Sequence, residues 1–411
     1  MPKTVVILGG AFGGLHVAHY LLKNNKDVKV ILVSKVGKTF DIFWLYLLSH
    51  IFQNSHFYWN LGAVRAIVPG AFPDTNQLFQ SLSDALARYP KDRAELVIGA
   101  AEALDTNAKT VTVAVAGHDG PPRTLTYDHL VLATGSRNPA STAAADGTVP
   151  PTPWKADGTY EDIQALLRSV QDKVKAAKHI VVAGGGATGV EAAAELGFAY
   201  GGKPVDKGGK TIVLLAAGPA LLGGDKVLAE PARHELTKLH VDVRTDRSVT
   251  GVRTLPEGGG RIELTVAGEA APVVTDLYLP AFGLVPNTDY VPAALLDDRK
   301  RVVVDAFYRA TGVPSHDVWA VGDVVGQPRP GFIITQKQAA GVAKNLDLVL
   351  RGKDPAPVKL LPLDLYVVVT GRSRGVGRAN SWRLPSLAVW LAKGRTLGTQ
   401  YLPSYGNGSI A

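Results

Sequence analysis

Two glycine-rich turns, each following an apolar, β-branched run and opening a helix-like stretch, constrain this chain more than any other feature. The first is Val5-Val6-Ile7-Leu8-Gly9-Gly10-Ala11-Phe12-Gly13-Gly14. The second is Ile180-Val181-Val182-Ala183-Gly184-Gly185-Gly186-Ala187-Thr188-Gly189, running on into Val190-Glu191-Ala192-Ala193-Ala194. Such a turn lets a helix N-terminus approach a pyrophosphate, so that free N–H groups and the positive end of the helix dipole meet the anion. One turn implies one dinucleotide. Two imply a pair held face to face, which is what passing a hydride from a nicotinamide to a flavin requires.

The turns are not equivalent. In the first, Gly9 and Gly14 fill the outer positions of G-x-G-x-x-G, but Ala11 takes the middle one, and its methyl intrudes where backbone should come closest to phosphate. The next apolar run, Val28 to Val33, ends on Ser34 where an acid would bind a ribose hydroxyl. The second turn is complete at Gly184, Gly186 and Gly189. The strand behind it, Thr211 to Leu215, ends at Ala216 with neither an acid nor an adjacent Arg. That position therefore does not discriminate NADH from NADPH.

Between the turns, Thr110 to Val115 alternates like a half-buried strand, and Asp128-His129-Leu130-Val131-Leu132-Ala133-Thr134-Gly135 reads as a buried strand entering a tight turn. The expected fold is α/β, with two Rossmann-like dinucleotide-binding domains for FAD and NAD(P)H and a C-terminal extension. The expected division is an FAD-binding part over 1–150, an NAD(P)H-binding domain over 151–283, the rest of the FAD-binding domain over 284–356, and a C-terminal segment over 357–411. A chain of 411 residues is too long for one core, which agrees with several units.

Composition narrows the chemistry. The chain has no cysteine, so no disulfide, thiolate metal site or CxxC pair can carry electrons, and redox chemistry falls to a cofactor. A net charge of +8 suits anionic dinucleotides or an anionic membrane, while no Lys/Arg run is dense enough for a nucleic-acid tail. The apolar run that starts at Thr4 leaves no room ahead of it for a signal peptide, so the expected location is the cytoplasm.

With Ala133-Thr134-Gly135, the second glycine turn and Gly322-Asp323 in this order, the chain resembles the two-dinucleotide flavoprotein reductases, without the redox disulfide of many of them. Phe57-Tyr58-Trp59-Asn60-Leu61-Gly62-Ala63-Val64-Arg65 and Gly371-Arg372-Ser373-Arg374-Gly375-Val376-Gly377 are similar to the apoptosis-inducing-factor-like branch, which includes ferroptosis-suppressor-like NAD(P)H:quinone reductases. The resemblance spans nearly the whole chain. It implies FAD contacts at Gly9, Gly10, Ala11, Phe12 and Gly13, at Arg65, Val97 and Asp323, and at the Thr134-Gly135 turn. NAD(P)H falls to Gly184, Gly186 and Gly189, with Glu191 near the nicotinamide.

Each implied contact has a plainer alternative. Arg65 either pairs with the pyrophosphate or covers an apolar surface. Asp323 either accepts from ribitol hydroxyls or caps a helix. Val97 offers backbone to the adenine or is a core valine. Glu191 faces the nicotinamide or lies on a helix face, and Lys337 or Gln338 stands beside the flavin or on a solvated face. No general acid or base is expected, because flavin chemistry asks the protein mainly for orientation and exclusion of water.

The expected partner is a small-molecule electron acceptor, a quinone by the resemblance. A tailoring oxidoreductase acting on a secondary metabolite, and a signalling protein with FAD as redox sensor, remain the alternatives. Two segments stand out. Lys35 to Asn54 is an apolar insertion carrying Ile42-Phe43-Trp44-Leu45-Tyr46-Leu47-Leu48, too short to span a bilayer; it is either a membrane-dipping insertion or a retained intron, and is expected, on the second reading, to be dispensable. In the tail, Trp382, Leu384, Leu387, Val389, Trp390 and Leu391 interleave with Arg383, Lys393 and Arg395. This mixture suits either a bilayer interface or a tail folded onto the FAD-binding domain.

Overall fold

The computed structural model describes residues 2–35, 56–117, 120–138, 151–156, 158–255, 260–360 and 363–411. Apart from Lys35, the apolar insertion lies outside them. The first glycine turn joins β1 (Lys3–Leu8) to α1 (Phe12–Asn24), which leads to β2 (Val28–Ser34). Val5, Val6 and Ile7 are fully buried, which explains an unbroken apolar run where a one-sided strand would alternate. β3 (Ala94–Asp105), β4 (Thr110–Val115), β5 (Arg123–Thr126) and β6 (His129–Leu132) follow. β3 runs parallel to β2 over its first half, Leu32 opposite Leu96, and then antiparallel to β4 from Gly99 opposite Val115.

Helix α2 (Tyr160–Ala176) enters the second unit with a capping box formed by Thr159 and Asp162. The second unit holds β7 (His179–Ala183), α3 (Ala187–Tyr200), β8 (Thr211–Leu215), α4 (Ala229–Lys238) and β9 (Val241–Arg244). A meander of β10 (Val249–Leu255), β11 (Arg261–Val266) and β12 (Val273–Thr275) precedes β13 (Leu277–Pro280). β9, β8, β7 and β13 form a parallel sheet in that order.

The chain then returns to the first unit. There β14 (Val318–Ala320) completes a seven-stranded sheet of order β14-β6-β1-β2-β3-β4-β5, and α5 (Phe332–Leu350) packs beside α1. The two connections between the units run side by side, Ser136–Arg137 pairing antiparallel with Val285–Pro286. The fold is therefore α/β with two Rossmann-like units, the second inserted in the first.

The last residues form a three-stranded sheet of β15 (Leu365–Val369), β16 (Gly375–Ala379) and β17 (Trp382–Arg383), then short helical turns. Of the two readings of the tail, its end folds onto the first unit. Trp59 Nε1 donates to the Leu397 carbonyl at 2.9 Å, and fully buried Tyr405 accepts through its carbonyl from His19 Nε2 at 2.7 Å. Phe12, Phe57, Trp59, Phe332 and Tyr405 pack edge to face around this join. Burial holds the His19 imidazole down to about 4, so at neutral pH it is uncharged, as a hydrogen-bonded core histidine requires. Among the described residues, no helix is long and apolar enough to cross a membrane.

Candidate dinucleotide-binding groove

Each glycine turn stands at the carboxyl end of its sheet, and each opens into a cavity. Gly9, Gly10, Ala11, Phe12 and Gly13 line the first, of ≈ 270 Å³, with Ser34, Lys35, Thr134, Gly135 and Asp323. Gly184, Gly185, Gly186 and Glu191 line the second, of ≈ 1240 Å³. Phe12, Asn60, Lys155, Asp323 and Thr335 line both, so the cavities are one continuous groove.

The turns show why the spacing demands small residues. A Cβ on Gly14 would lie 1.9 Å from the Gly9 carbonyl oxygen, and one on Gly189 would lie 1.8 Å from that of Gly184. These two glycines sit behind the groove and let each helix close on its turn. Gly184 holds φ at +131°, and its Cβ would meet the Ala281 carbonyl at 2.4 Å. Gly186 is different: its φ of −77° suits any residue, and a Cβ there meets nothing within 4 Å. The space it leaves belongs to the groove, where a bound pyrophosphate needs it. Neither α1 nor α3 has a side-chain cap or an acid in its first turn, so both N-termini keep donors for an anion. Ala11 adopts extended backbone, with φ −107°, so the missing middle glycine is tolerated as geometry. These features fit a dinucleotide at each turn.

Asp323 stands where the cavities join. Its Oδ2 accepts from Ser136 Oγ at 2.7 Å and from Lys155 Nζ at 2.5 Å. Burial would raise its carboxyl, but the Lys155 ammonium and the Ser136 hydroxyl outweigh it and hold the group below the ordinary carboxylate range. The carboxylate is thus charged, oriented and open to ligand hydroxyls. It makes no capping bond to a helix.

Glu191 is 4% exposed on α3 and faces the second cavity. Its Oε1 accepts from Lys393 Nζ at 2.5 Å and from the Val369 backbone at 2.9 Å. Beside it, burial with a contribution from Glu191 pushes the Tyr366 phenol up to about 12, so it remains a donor. An ammonium, a carboxylate and a phenol on one wall can hold a proton next to a bound molecule. Sequence reasoning passed over Lys155 and read Lys393 as a basic residue of the tail suited to a bilayer interface, because their partners lie 168 and 202 residues away along the chain.

Other expected contacts lie elsewhere. Arg65 lines neither cavity and is only 5% exposed, which also removes the surface alternative. Its Nε donates to Glu195 at 2.7 Å, and Nη1 and Nη2 donate to the Arg395 and Gly394 carbonyls at 3.1 and 2.8 Å. The guanidinium fork thus ties the tail to α3 and leaves no face for a pyrophosphate. Val97 is a core residue of β3, 4% exposed, and Gly99, Ala100 and Ala101 reach the groove in its place. Gln338 is buried behind the Gly322 turn, accepting from the Gly322 N–H at 2.7 Å and donating to the Gln327 carbonyl at 2.8 Å. Lys337 is exposed on α5 and lines neither cavity. Neither stands beside the groove.

Two Rossmann-like units whose glycine turns open into one groove define a pyridine-nucleotide oxidoreductase fold. The chain belongs to the pyridine nucleotide-disulphide oxidoreductase family, whose model matches residues 3–341. It is 36% identical over 409 residues to oxidoreductase ptaL of Pestalotiopsis fici, covering 99% of this chain and 100% of that protein. It is 26% identical over 419 residues to human ferroptosis suppressor protein 1, covering 96% and 93%. The fold is shared with the sulfide:quinone oxidoreductase of Aquifex aeolicus at a TM-score of 0.72 and 15% identity, covering 100% of this chain and 92% of that one.

Proposed function

We propose that this protein is an FAD-dependent NAD(P)H:acceptor oxidoreductase with a quinone-type ring as acceptor, near the apoptosis-inducing-factor-like branch of its family. The observation that carries this reading is the single groove with a glycine turn at either end and Asp323 at its middle. FAD would lie along Gly9 to Gly13, Thr134, Gly135 and Asp323, and NAD(P)H along Gly184 to Thr188. When bound, FAD supplies the two-electron relay between nicotinamide and acceptor. Phe12, Phe332 and Tyr401 wall the groove with aromatic surface that excludes water and suits a planar ring. Glu191, Lys393 and Tyr366 would face that ring from one wall. Because the chain has no cysteine, electrons leave through the cofactor and not through a protein disulfide.

A second reading keeps the chemistry and makes the acceptor a secondary metabolite. The higher identity to a fungal oxidoreductase, 36% against 26% for the ferroptosis suppressor, favours it. The purified protein should show oxidised-flavin absorbance that bleaches with NADH or NADPH without oxygen, and should consume the nicotinamide steadily with a soluble quinone. A colourless protein that takes up no added FAD overturns the proposal. Bleaching without quinone turnover moves the acceptor to the second reading.

Part of the tail supports contact with an anionic bilayer. Trp382, Leu387 and Leu391 are 79%, 65% and 56% exposed, beside Leu384, Ala388 and Ala392 of the groove wall. Exposed aromatic and aliphatic side chains next to Arg383 suit the headgroup boundary. Replacing Trp382, Leu387 and Leu391 by Glu should abolish co-sedimentation with vesicles containing phosphatidylserine and leave flavin content unchanged. Equal binding by both proteins removes the patch from the account. Truncation before Trp382 is no clean test, because Leu397 and Tyr405 are part of the core.

A further inference from the structure

At the end of β8, where the second strand of a dinucleotide-binding unit meets the adenosine ribose, NAD-selective sites place a carboxylate that binds the 2′-hydroxyl. Here Ala216, Ala217 and Gly218 line the groove instead. The adjacent cation comes from the next strand over and so is invisible in the local sequence. After β9 the chain turns back, and the Arg247 N–H donates to the Ala216 carbonyl at 2.9 Å while the Asp246 N–H donates to that of Gly218 at 3.0 Å. Those bonds fix Arg247 beside the strand end. Gly185 of the glycine turn is in turn tight against Ala216, a Cβ on it falling 2.8 Å from the Ala216 methyl. Turn, strand end and Arg247 are thus contiguous, and Arg247 and Ser248 line the second cavity.

The guanidinium is oriented without being consumed. Nε donates to Glu269 at 3.0 Å and Nη1 to the Asp246 carbonyl at 3.0 Å, while Nη2 makes no bond among the described residues. Glu269 is shared with Arg244 Nη1 at 3.4 Å, and Arg244 also binds Asp242. Neither Glu269, Asp246 nor Asp242 lines the groove. The acids that line the second cavity, Glu191 and Asp323, are paired with Lys393 and Lys155. A dianionic group at this end would meet a positioned guanidinium, a hydroxyl and no facing carboxylate.

We propose that the protein selects NADPH over NADH and that Arg247, assisted by Ser248, recognises the 2′-phosphate. The inference rests on the nicotinamide site proposed above. Its first test needs no turnover: adenosine 2′,5′-bisphosphate and 5′-AMP are titrated by calorimetry into the protein and into Arg247→Ala. The bisphosphate should bind wild type roughly 10- to 100-fold more tightly than 5′-AMP, and the variant should bind the two within about threefold. In turnover, Arg247→Ala should lower kcat/KM for NADPH by the same factor and leave that for NADH within about threefold, with Arg247→Lys intermediate. Equal binding of both nucleotides by wild type, or equal loss of both in Arg247→Ala, overturns the assignment of Arg247 while the nicotinamide site stands. Binding of neither nucleotide overturns that site as well.

Discussion

Replacing Asp323 by alanine is expected to weaken FAD binding by roughly 10- to 100-fold, the equivalent of a lost charged hydrogen bond of about 1.5–3 kcal/mol. Two effects act in the same direction. Ligand hydroxyls lose their acceptor, and Lys155 Nζ and Ser136 Oγ lose theirs, leaving an unpaired ammonium at the junction of the cavities. Flavin released on dialysis, read by fluorescence, measures the loss. Full occupancy in Asp323→Ala would reduce Asp323 to an anchor for Lys155 and Ser136. Asp323→Asn, which keeps the shape and removes the charge, should lie between the two proteins.

Gly186→Val should do the opposite, retaining flavin and losing the nicotinamide. The backbone at Gly186 is ordinary extended chain, and a Cβ meets no protein atom within 4 Å, so folding should be unaffected. The added methyls enter the space through which a pyrophosphate reaches the α3 N-terminus. KM for the nicotinamide should rise at least about tenfold, or turnover vanish, with flavin content and Tm preserved. Gly184→Val supplies the contrast: its φ of +131° and the Ala281 carbonyl at 2.4 Å make that substitution a folding defect. Unchanged KM and kcat in Gly186→Val would mean that the second glycine turn only packs the helix.

What the sequence disclosed follows from how local each signal is. A glycine turn is written in adjacent residues, because strand, turn and helix must meet within a few positions, and Gly9 to Gly14 and Gly184 to Gly189 could be read directly. Asp323 was legible as the acid of a Gly-Asp turn, but its partners Ser136 and Lys155 were not, since they come from the other side of the inserted unit. Arg65 misled because an arginine after a family-like segment looks like a phosphate ligand. Only the fold reveals that Glu195 and two tail carbonyls occupy its donors. Val97 was displaced by two residues, because a long strand gives no sign of where it leaves the core. Gln338 was placed on the right helix, but its side chain supports the Gly322 turn from behind.

The insertion of one unit within the other also dictates an order of assembly on the ribosome. The inner unit has every strand of its parallel sheet once residue 280 has emerged. The outer unit, begun first, still lacks the edge strand at Val318–Ala320, the long helix ending at Leu350, and the Tyr405 that closes over α1. Its apolar sheet has six of its seven strands by Leu132 and must wait for the last through nearly half of the chain's synthesis. The oldest residues of this protein are therefore finished late: the cavity around Gly9 to Gly13 gains Val321, Gly322, Asp323 and Thr335 only after the inner unit has been made.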